Sequence, residues 1–475
     1  MKNTIGRKNE IASILEIYNN QKPAFLAVYG RRRIGKTFLI REVFNNDFYF
    51  HVTGLAKTTA ENQLYNFNKT LSKYYTAYKK NNFATNWFDA FDELNNYLQS
   101  KKTKRKIIFI DELPWFDNAK SDFLSAFEHF WNHWASARKD TMLVVCGSSA
   151  SWIINKLINC KGGLHNRVTH KIKMEPFTLA ETAQFLESKK IKWNQYQIAE
   201  AYMAFGGVPF YLDGVRKGLS VTQCIEELFF RDNGLLRNEF DNLYKSLFKH
   251  PENYMAVAHA LSKKTKGLTR EEIIKLAKLP NGGGISKVLI ELEQCDFIRK
   301  YNLVQDKKKD ALYQLTDFYT LFYYNFIEKL NTVNNNYWIT QLNSTVHRAW
   351  RGYAFEQLCM LHTSQIKHAL GIAAIHTQVS SWRSRVQKNN AQIDLVIDRK
   401  DNCINLCEMK FAEKEYTIDK KYSANIQNKI AAFKVETNTK KAVFFTMVTT
   451  YGVSNNNYYQ QWISNSITLD KLFLV

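Results

Sequence analysis

Ala24-Phe25-Leu26-Ala27-Val28-Tyr29, followed at once by Gly30-Arg31-Arg32-Arg33-Ile34-Gly35-Lys36-Thr37-Phe38, decides the fold class of this chain. Six apolar residues in a row suit a short strand buried on both faces. The loop that leaves it carries glycine at both ends, and glycine lets a backbone curl until successive amides point at one anion. Gly-x4-Gly-Lys-Thr is the Walker A pattern. Arg31, Arg32, Arg33 and Ile34 contribute loop amides, Lys36 neutralises the β and γ oxygens of ATP, and the Thr37 hydroxyl ligates Mg2+. The helix that begins here, Thr37 to Phe44 with Phe38 in its first turn, turns its positive end to the phosphates.

A second buried strand, Ile107-Ile108-Phe109-Ile110, ends in Asp111-Glu112, the Walker B pattern. Asp111 is placed to hold Mg2+, directly or through water, and Glu112 to orient or deprotonate the attacking water. An Asp-Glu pair after a strand is otherwise a helix cap. Two such motifs at the C-terminal edges of two strands of one sheet favour ATP hydrolysis over that reading. A third strand, Met142 to Cys146, leads to Gly147-Ser148-Ser149, where Ser148 is either a γ-phosphate sensor or a plain turn serine. Arg167 is either an arginine finger reaching a γ-phosphate across a subunit boundary or a solvated loop arginine.

At 475 residues the chain exceeds what one core fills, and 45% hydrophobic residues with only six prolines and 19 glycines argue for packed domains throughout. The formal charge of +22 draws polyanions, with nucleic acid, DNA above all, the natural partner; a lysine-rich solvated surface is the alternative. No apolar run approaches the ~20 residues of a membrane helix, and Met1-Lys2-Asn3-Thr4 opens no signal peptide. A cytoplasmic protein with no membrane partner is expected. Seven scattered cysteines suit reduced thiols, and Cys403 and Cys407 lack the second ligand pair a zinc site needs.

Amphipathic helices are expected over Glu61 to Tyr75 and Trp87 to Leu98, with Phe123, Phe127, Phe130, Trp131 and Trp134 at helical spacing as core. Lys101 to Lys106 reads as a solvated turn or a nucleic-acid contact at the sheet's N-terminal edge. Helical patterns continue through a lid to about Lys245. Then come a helix over Glu252 to Leu261, a capping box at Thr269-Arg270-Glu271-Glu272, a flexible turn at Asn281 to Gly284 and a third helix over Ile285 to Gln294. A hairpin of Phe297 to Leu303 with Ala311 to Leu315 completes the order of a winged helix-turn-helix. The third helix is acidic toward its C-terminal part, so the module either docks DNA, with Lys307 to Lys309 on phosphates, or packs against protein. Asp317 to Phe326 reads as an aromatic connecting helix.

The last unit opens on a helix over Arg351 to Leu358, where Glu356 stands among apolar neighbours. Ala391 to Ile397 and Ile404 to Phe411 read as paired strands around Arg399-Lys400-Asp401-Asn402. Side chains alternate along a strand, so Glu408 and Lys410 share a face. With Asp394 on the other strand, two carboxylates and an ammonium come together. Such a cluster binds a divalent metal, Mg2+ or Mn2+, through Asp394 and Glu408 while Lys410 positions water against a phosphodiester; a salt-bridge ladder is the other reading. Lys420 and Lys421, in a lysine-rich helical stretch over Lys414 to Lys434, are placed toward the same groove, where they either meet phosphates or, as the default, are simply solvated, and Lys441 to Thr446 forms a further buried strand.

Gly6-Arg7-Lys8-Asn9-Glu10 before the first strand, the Gly-Arg-Arg-Arg of the loop and Gly206-Gly207-Val208-Pro209 after the sheet mark a resemblance. The chain resembles the archaeal-type ATPases within the signal-transduction (STAND) branch of AAA-like P-loop NTPases. The resemblance implies a helical lid beside the nucleotide, with Pro209 against adenine. The Asp394, Glu408-x-Lys410 spacing is similar to the PD-(D/E)XK nuclease superfamily, which implies Glu356 as a further metal-site member; the proline of the motif's name is missing before Asp394. The expected fold is α/β: a P-loop ATPase core over 1–170, a helical lid over 171–245, a winged helix over 246–316, a connecting helix over 317–345 and a restriction-endonuclease-like domain over 346–475. Two functions fit: an ATP-dependent enzyme cutting DNA, or an ATP-controlled signalling or assembly switch whose last domain binds nucleic acid or protein without cutting. A nucleotide-dependent homo-oligomer accompanies either.

Overall fold

The computed structural model describes residues 4–102, 105–118, 121–159, 163–164, 166–264, 267–301, 311–330, 336–384, 386 and 391–474. They form two compact units, Met1–Pro176 and Phe177–Val475.

The first unit is built on β1 (Ala24–Tyr29), β2 (Phe50–Thr53), β3 (Lys106–Asp111), β4 (Thr141–Gly147) and β5 (His170–Lys173), all parallel in the order β2-β3-β4-β1-β5. A parallel sheet needs both faces covered, which is why β1 is apolar at every position. Phe25 and Ala27 enter the core on one face, with Phe123, Phe127, Phe130 and Trp131, while Ala24, Leu26 and Val28 enter the core on the other. Truncating a phenylalanine so placed costs about 3–5 kcal/mol. Because the strands run one way, β1, β3 and β4 open into their loops at a single edge, the edge where α/β sheets bind ligands. The expected boundary at 170 falls at the start of β5, which pairs from Leu26↔His170 to Tyr29↔Lys173. His-Lys-Ile-Lys lacks an apolar run because an edge strand buries little and charge protects it.

The second unit starts with helices Leu179–Ser188, Gln195–Phe205 and Val221–Ile225. Each begins at a reciprocal capping box, Thr178 with Glu181, Asn194 with Gln197 and Ser220 with Gln223. Helix Pro251–Ser262, β6 (Leu268–Thr269), helices Arg270–Ala277 and Gly283–Gln294, β7 (Ile298–Tyr301) and β8 (Leu312–Leu315) follow, with the strands in the antiparallel order β6-β8-β7. The capping box at Thr269 and Glu272 forms as read. The glycine turn is shorter than read, since Gly283 and Gly284 already belong to the helix. Lys307 to Lys309 lie outside the described residues. The aromatic run is core: Phe322 meets Phe229, Trp338 and Trp350.

The chain ends in helix Thr345–Leu361, β9 (Thr377–Arg383), β10 (Gln392–Arg399), β11 (Cys403–Lys410), helix Lys420–Thr437, β12 (Ala442–Thr449) and β13 (Asn465–Thr468). The sheet order is β13-β12-β11-β10-β9, antiparallel from β9 to β11 and parallel from β11 to β13. The short turn after Arg399 permits an antiparallel return, whereas the parallel step from β11 to β12 needs the long helix between them.

Candidate functional site

At the C-terminal edge of the first unit's sheet the chain leaves β1 at Gly30 with φ 139°. A Cβ there would stand 2.2 Å from the Met174 carbonyl oxygen, so no other residue fits. Gly35, at φ 88°, caps the helix Lys36–Val43, and Arg33 takes the left-handed region at φ 70°. Ile34 is buried in the core, which pins the loop's middle, and Arg7 donates from its guanidinium to the Ile34 carbonyl at 3.3 Å. The Gly6 to Glu10 segment thus braces the loop from beneath. Arg31 is buried, Arg32 and Arg33 are half-buried, and Phe38 is exposed on the helix's first turn.

Lys36 donates to the carbonyls of Gly30 at 3.0 Å and Arg31 at 2.8 Å. The Thr37 hydroxyl lies 3.0 Å from both carboxylate oxygens of Asp111, so the two motifs meet, across 74 residues of sequence. Cys146, at the matching level of β4, donates its thiol to Asp111 Oδ1 at 2.5 Å. Burial pushes the Asp111 carboxyl up, against hydrogen bonds from Cys146, Thr37 and the Glu112 N–H. Burial also pushes the Cys146 thiol up, which keeps its proton in place to be donated. Glu112 sits at φ 49°, a backbone strain of the kind concentrated at functional sites. Its Oε2 accepts from Ser148 twice, from N–H at 3.0 Å and Oγ–H at 2.9 Å. Ser148 therefore meets the Glu112 carboxylate through both its amide and its hydroxyl. Reading the sequence missed Cys146; the pairing Ile110↔Val145, one step before Asp111, is the signal that finds it.

Arg167 is exposed and does not join this cluster within the chain. It precedes β5, and Thr169 N–H donates to the Phe25 carbonyl at the start of β1, the opposite end of the sheet from the loop. Of the basic run before β3, Arg105 is tied to the carbonyls of Tyr18 and Lys22 and Lys106 to Asp140. In the second unit, Gly206 and Gly207 adopt φ 72° and 63°, and a Cβ on Gly207 would strike the Phe177 carbonyl oxygen at 2.3 Å. Pro209 opens the helix Pro209–Asp213, where a missing N–H costs nothing.

The second cluster lies on the mixed sheet. Leu395 pairs with Cys407, so one step along that register Asp394 faces Glu408. A bulge between Ile393 and Val396 breaks the pairing of β10 with β9 at this point, and bulges commonly re-aim a side chain beside an active site. Ser381 Oγ ties the Asp394 carbonyl at 2.9 Å. Glu408, 3% exposed, accepts from Lys410 at 3.2 Å and from Lys429 at 2.7 Å on both oxygens. Burial pushes Glu408 up, but the ammonium groups of Lys429 and Lys410 outweigh it and hold the carboxyl below its ordinary value. Asp394 is pushed up to about 7, by burial and then by Glu408, and Glu356 to about 9, by burial and then by Asp394. Asp394 Oδ2 is buried without a hydrogen-bond partner.

One expectation is corrected here. Among the described residues no three carboxylate, imidazole or thiolate groups converge as a metal cage, so Glu356, Asp394 and Glu408 do not form one. The reason is that both Glu408 oxygens are turned to Lys429. Lys420 and Lys421 are exposed, in keeping with solvated lysines, and Lys429, which the reading passed over, is a lysine of this helix that reaches the cluster. What remains fits Mg2+ or Mn2+ in part: two carboxylates from adjacent strands, one carrying an orphaned oxygen. Mg2+ commonly takes one or two carboxylates and completes its shell with water and substrate phosphate.

Comparison with known proteins agrees with the first site. Residues 5–215 match an ATPase domain found predominantly in Archaea. The chain is 25% identical over 398 residues to the uncharacterized protein MJECL04 of Methanocaldococcus jannaschii, covering 82% of this chain and 83% of that one, a span longer than either unit. Among solved structures, the Walker-type ATPase PABY2304 of Pyrococcus abyssi is similar at a TM-score of 0.49 and 17% identity, over 68% of this chain and 96% of that one. The RuvB Holliday junction branch migration motor of Thermotoga maritima follows at 0.36 and 12%, over 65% and 92%. The domain match and the Walker geometry together support an ATP-binding P-loop ATPase with Mg2+ as its cation. No helix among the described residues is long and apolar enough to cross a membrane.

Proposed function

We propose that the protein hydrolyses ATP at the Walker site and couples that cycle to DNA binding and phosphodiester cleavage by its C-terminal domain. The observation that carries the second half is Asp394 facing Glu408 across β10 and β11, with Lys410 beside Glu408 and one Asp394 oxygen buried and unpaired. Asp394 and Glu408 would hold a divalent ion, which supplies positive charge to the phosphate when bound. Lys410 holds the attacking water, whose oxygen bonds to phosphorus as the bond to the leaving sugar oxygen breaks and a proton passes to that oxygen. The net charge of +22 and the three helices and three strands among the described residues of 251–315, read as a winged helix, support a nucleic-acid partner. Arg167, far from its own loop, suits an arginine finger toward a neighbouring subunit and hence a nucleotide-dependent homo-oligomer.

The test is to incubate the purified chain with ATP, Mg2+ or Mn2+ and single-stranded or double-stranded DNA or RNA. Cleavage is expected, lost in Glu408→Gln and Lys410→Ala without loss of ATP hydrolysis; every nucleic acid left intact sinks this reading. The pairing of both Glu408 oxygens with Lys429 favours one competitor, a switch that binds without cutting. That competitor requires ATP to change the oligomer's mass even in Glu408→Gln, with no cleavage by the unaltered chain.

A further inference from the structure

Lys429 has no part in the cleavage chemistry set out above, yet it makes the shortest polar contacts of the Glu408 side chain. It lies on the helix Lys420–Thr437 in line with Ile426 and Phe433, three residues before it and four after, and both of these are buried. That phase turns Lys429 to the sheet instead of to solvent, and its side chain is 12% exposed. Lys410 holds Glu408 more loosely, at 3.2 Å through one oxygen, and its ammonium rests 5.4 Å from the centre of the Tyr422 ring. Across the strand pair Asp394 Oδ2 is buried with no partner. One carboxylate is thus filled by a cation on both oxygens, while its neighbour keeps a buried oxygen with no hydrogen-bond partner.

We propose that Lys429 is a built-in competitor for the divalent ion, its ammonium holding the cation position at Glu408 until the metal displaces it. The proposal rests on the cleavage reading and adds a positioning residue to it. A metal shared by Asp394 and Glu408 needs the lone pairs that Lys429 uses, and a divalent ion beside an ammonium is repelled by it. The two cations are alternatives, so the lysine sets the metal concentration at which the site becomes complete. The Tyr422 ring offers Lys410 a resting place beside the cluster.

The experiment is Mn2+ binding to the full chain by electron paramagnetic resonance, taking the component lost in Glu408→Gln so that the Walker site is subtracted. Lys429→Met and Lys429→Gln are expected to bind Mn2+ tighter than the unaltered chain by about tenfold or more, and Lys429→Arg, which keeps the charge, no tighter. Circular dichroism selects the folded variants, and the arginine variant keeps the test open should both neutral ones fail to fold, because a tighter Mn2+ site in it overturns the proposal. Unchanged or weaker binding in the neutral variants overturns the role of Lys429 alone. Absence of any Glu408-dependent Mn2+ binding overturns both this proposal and the metal on which the cleavage reading depends.

Discussion

Asp111 and Glu408 are both buried carboxylates on β-strands, and they are satisfied in opposite ways. Asp111 takes hydrogen bonds from a hydroxyl, a thiol and a backbone amide, all neutral, while the nearby Lys36 is occupied with loop carbonyls. Glu408 is held by two ammonium groups. A neutral shell is exchanged for a cation and its phosphate with little electrostatic loss, because the carboxylate gains charge complementarity it did not have. A charged shell must first be dismantled, and an ammonium adds attraction between opposite charges to the hydrogen bond that a neutral donor gives a carboxylate. The first site is therefore arranged in advance for Mg2+-ATP, and the second carries its own counter-ions.

The comparison is broken most directly at Lys36. If this ammonium exists to meet phosphate and not to hold the loop, Lys36→Ala lowers ATP hydrolysis on the order of 10²–10³-fold while the fold survives. Phosphate release at saturating ATP, with circular dichroism alongside, checks it; an unfolded variant, or one retaining most of its turnover, removes the contrast.

A stability measurement comes next. Glu408→Gln keeps the shape but leaves Lys410 and Lys429 facing a neutral group and each other, a loss expected to cost about 3 kcal/mol. Asp111→Asn disturbs only neutral donors and is expected to cost about 1 kcal/mol. Urea unfolding of the two variants gives the order, and equal losses would mean that the two shells are energetically alike.

How much of this was legible in sequence follows from how far apart the parts lie. Gly30 to Thr37 is one continuous loop, so its chemistry can be read residue by residue, and Asp111 announces itself as an acid at the end of an apolar strand. Cys146 is hidden because its partner is set by the register of β3 with β4, which no local pattern encodes, whereas Ser148 could be named from its place after β4 although its partner Glu112 could not. Asp394, Glu408 and Lys410 were legible as a hairpin, but the bulge at Asp394 belongs to the pairing with β9, a strand with no clean alternation. Lys429 was lost among Lys414, Lys420, Lys421 and Lys434, where composition suggests a solvated face. Only the helical phase of Ile426 and Phe433 separates it from them.

The smallest effect tests the helix that carries Glu356 rather than either carboxylate. His362 caps that helix, is 2% exposed, and accepts the Leu179 N–H on Nε2 at 3.0 Å while Nδ1 lies 2.8 Å from the Leu358 carbonyl. The ring is thus neutral with its proton on Nδ1, and a second proton would face the Leu179 amide. Burial lowers its pKa to about 4, against the carbonyl of Leu358, whereas an unfolded histidine titrates near 6.5. Between those values the unfolded chain binds the proton and the folded one does not, so stability is complete above about pH 6.5 and falls as pH drops, by about 3 kcal/mol on reaching pH 4. His362→Gln is expected to flatten that part of the curve in urea unfolding followed from pH 7 to pH 4. His347, on the same helix and also lowered to about 4, titrates in both chains and cancels in the difference. A variant with the full acid slope of the parent would show that the junction between helices Leu179–Ser188 and Thr345–Leu361 opens before His362 takes up its proton, and the carboxylate cluster would then hang on a looser support than the Walker site does.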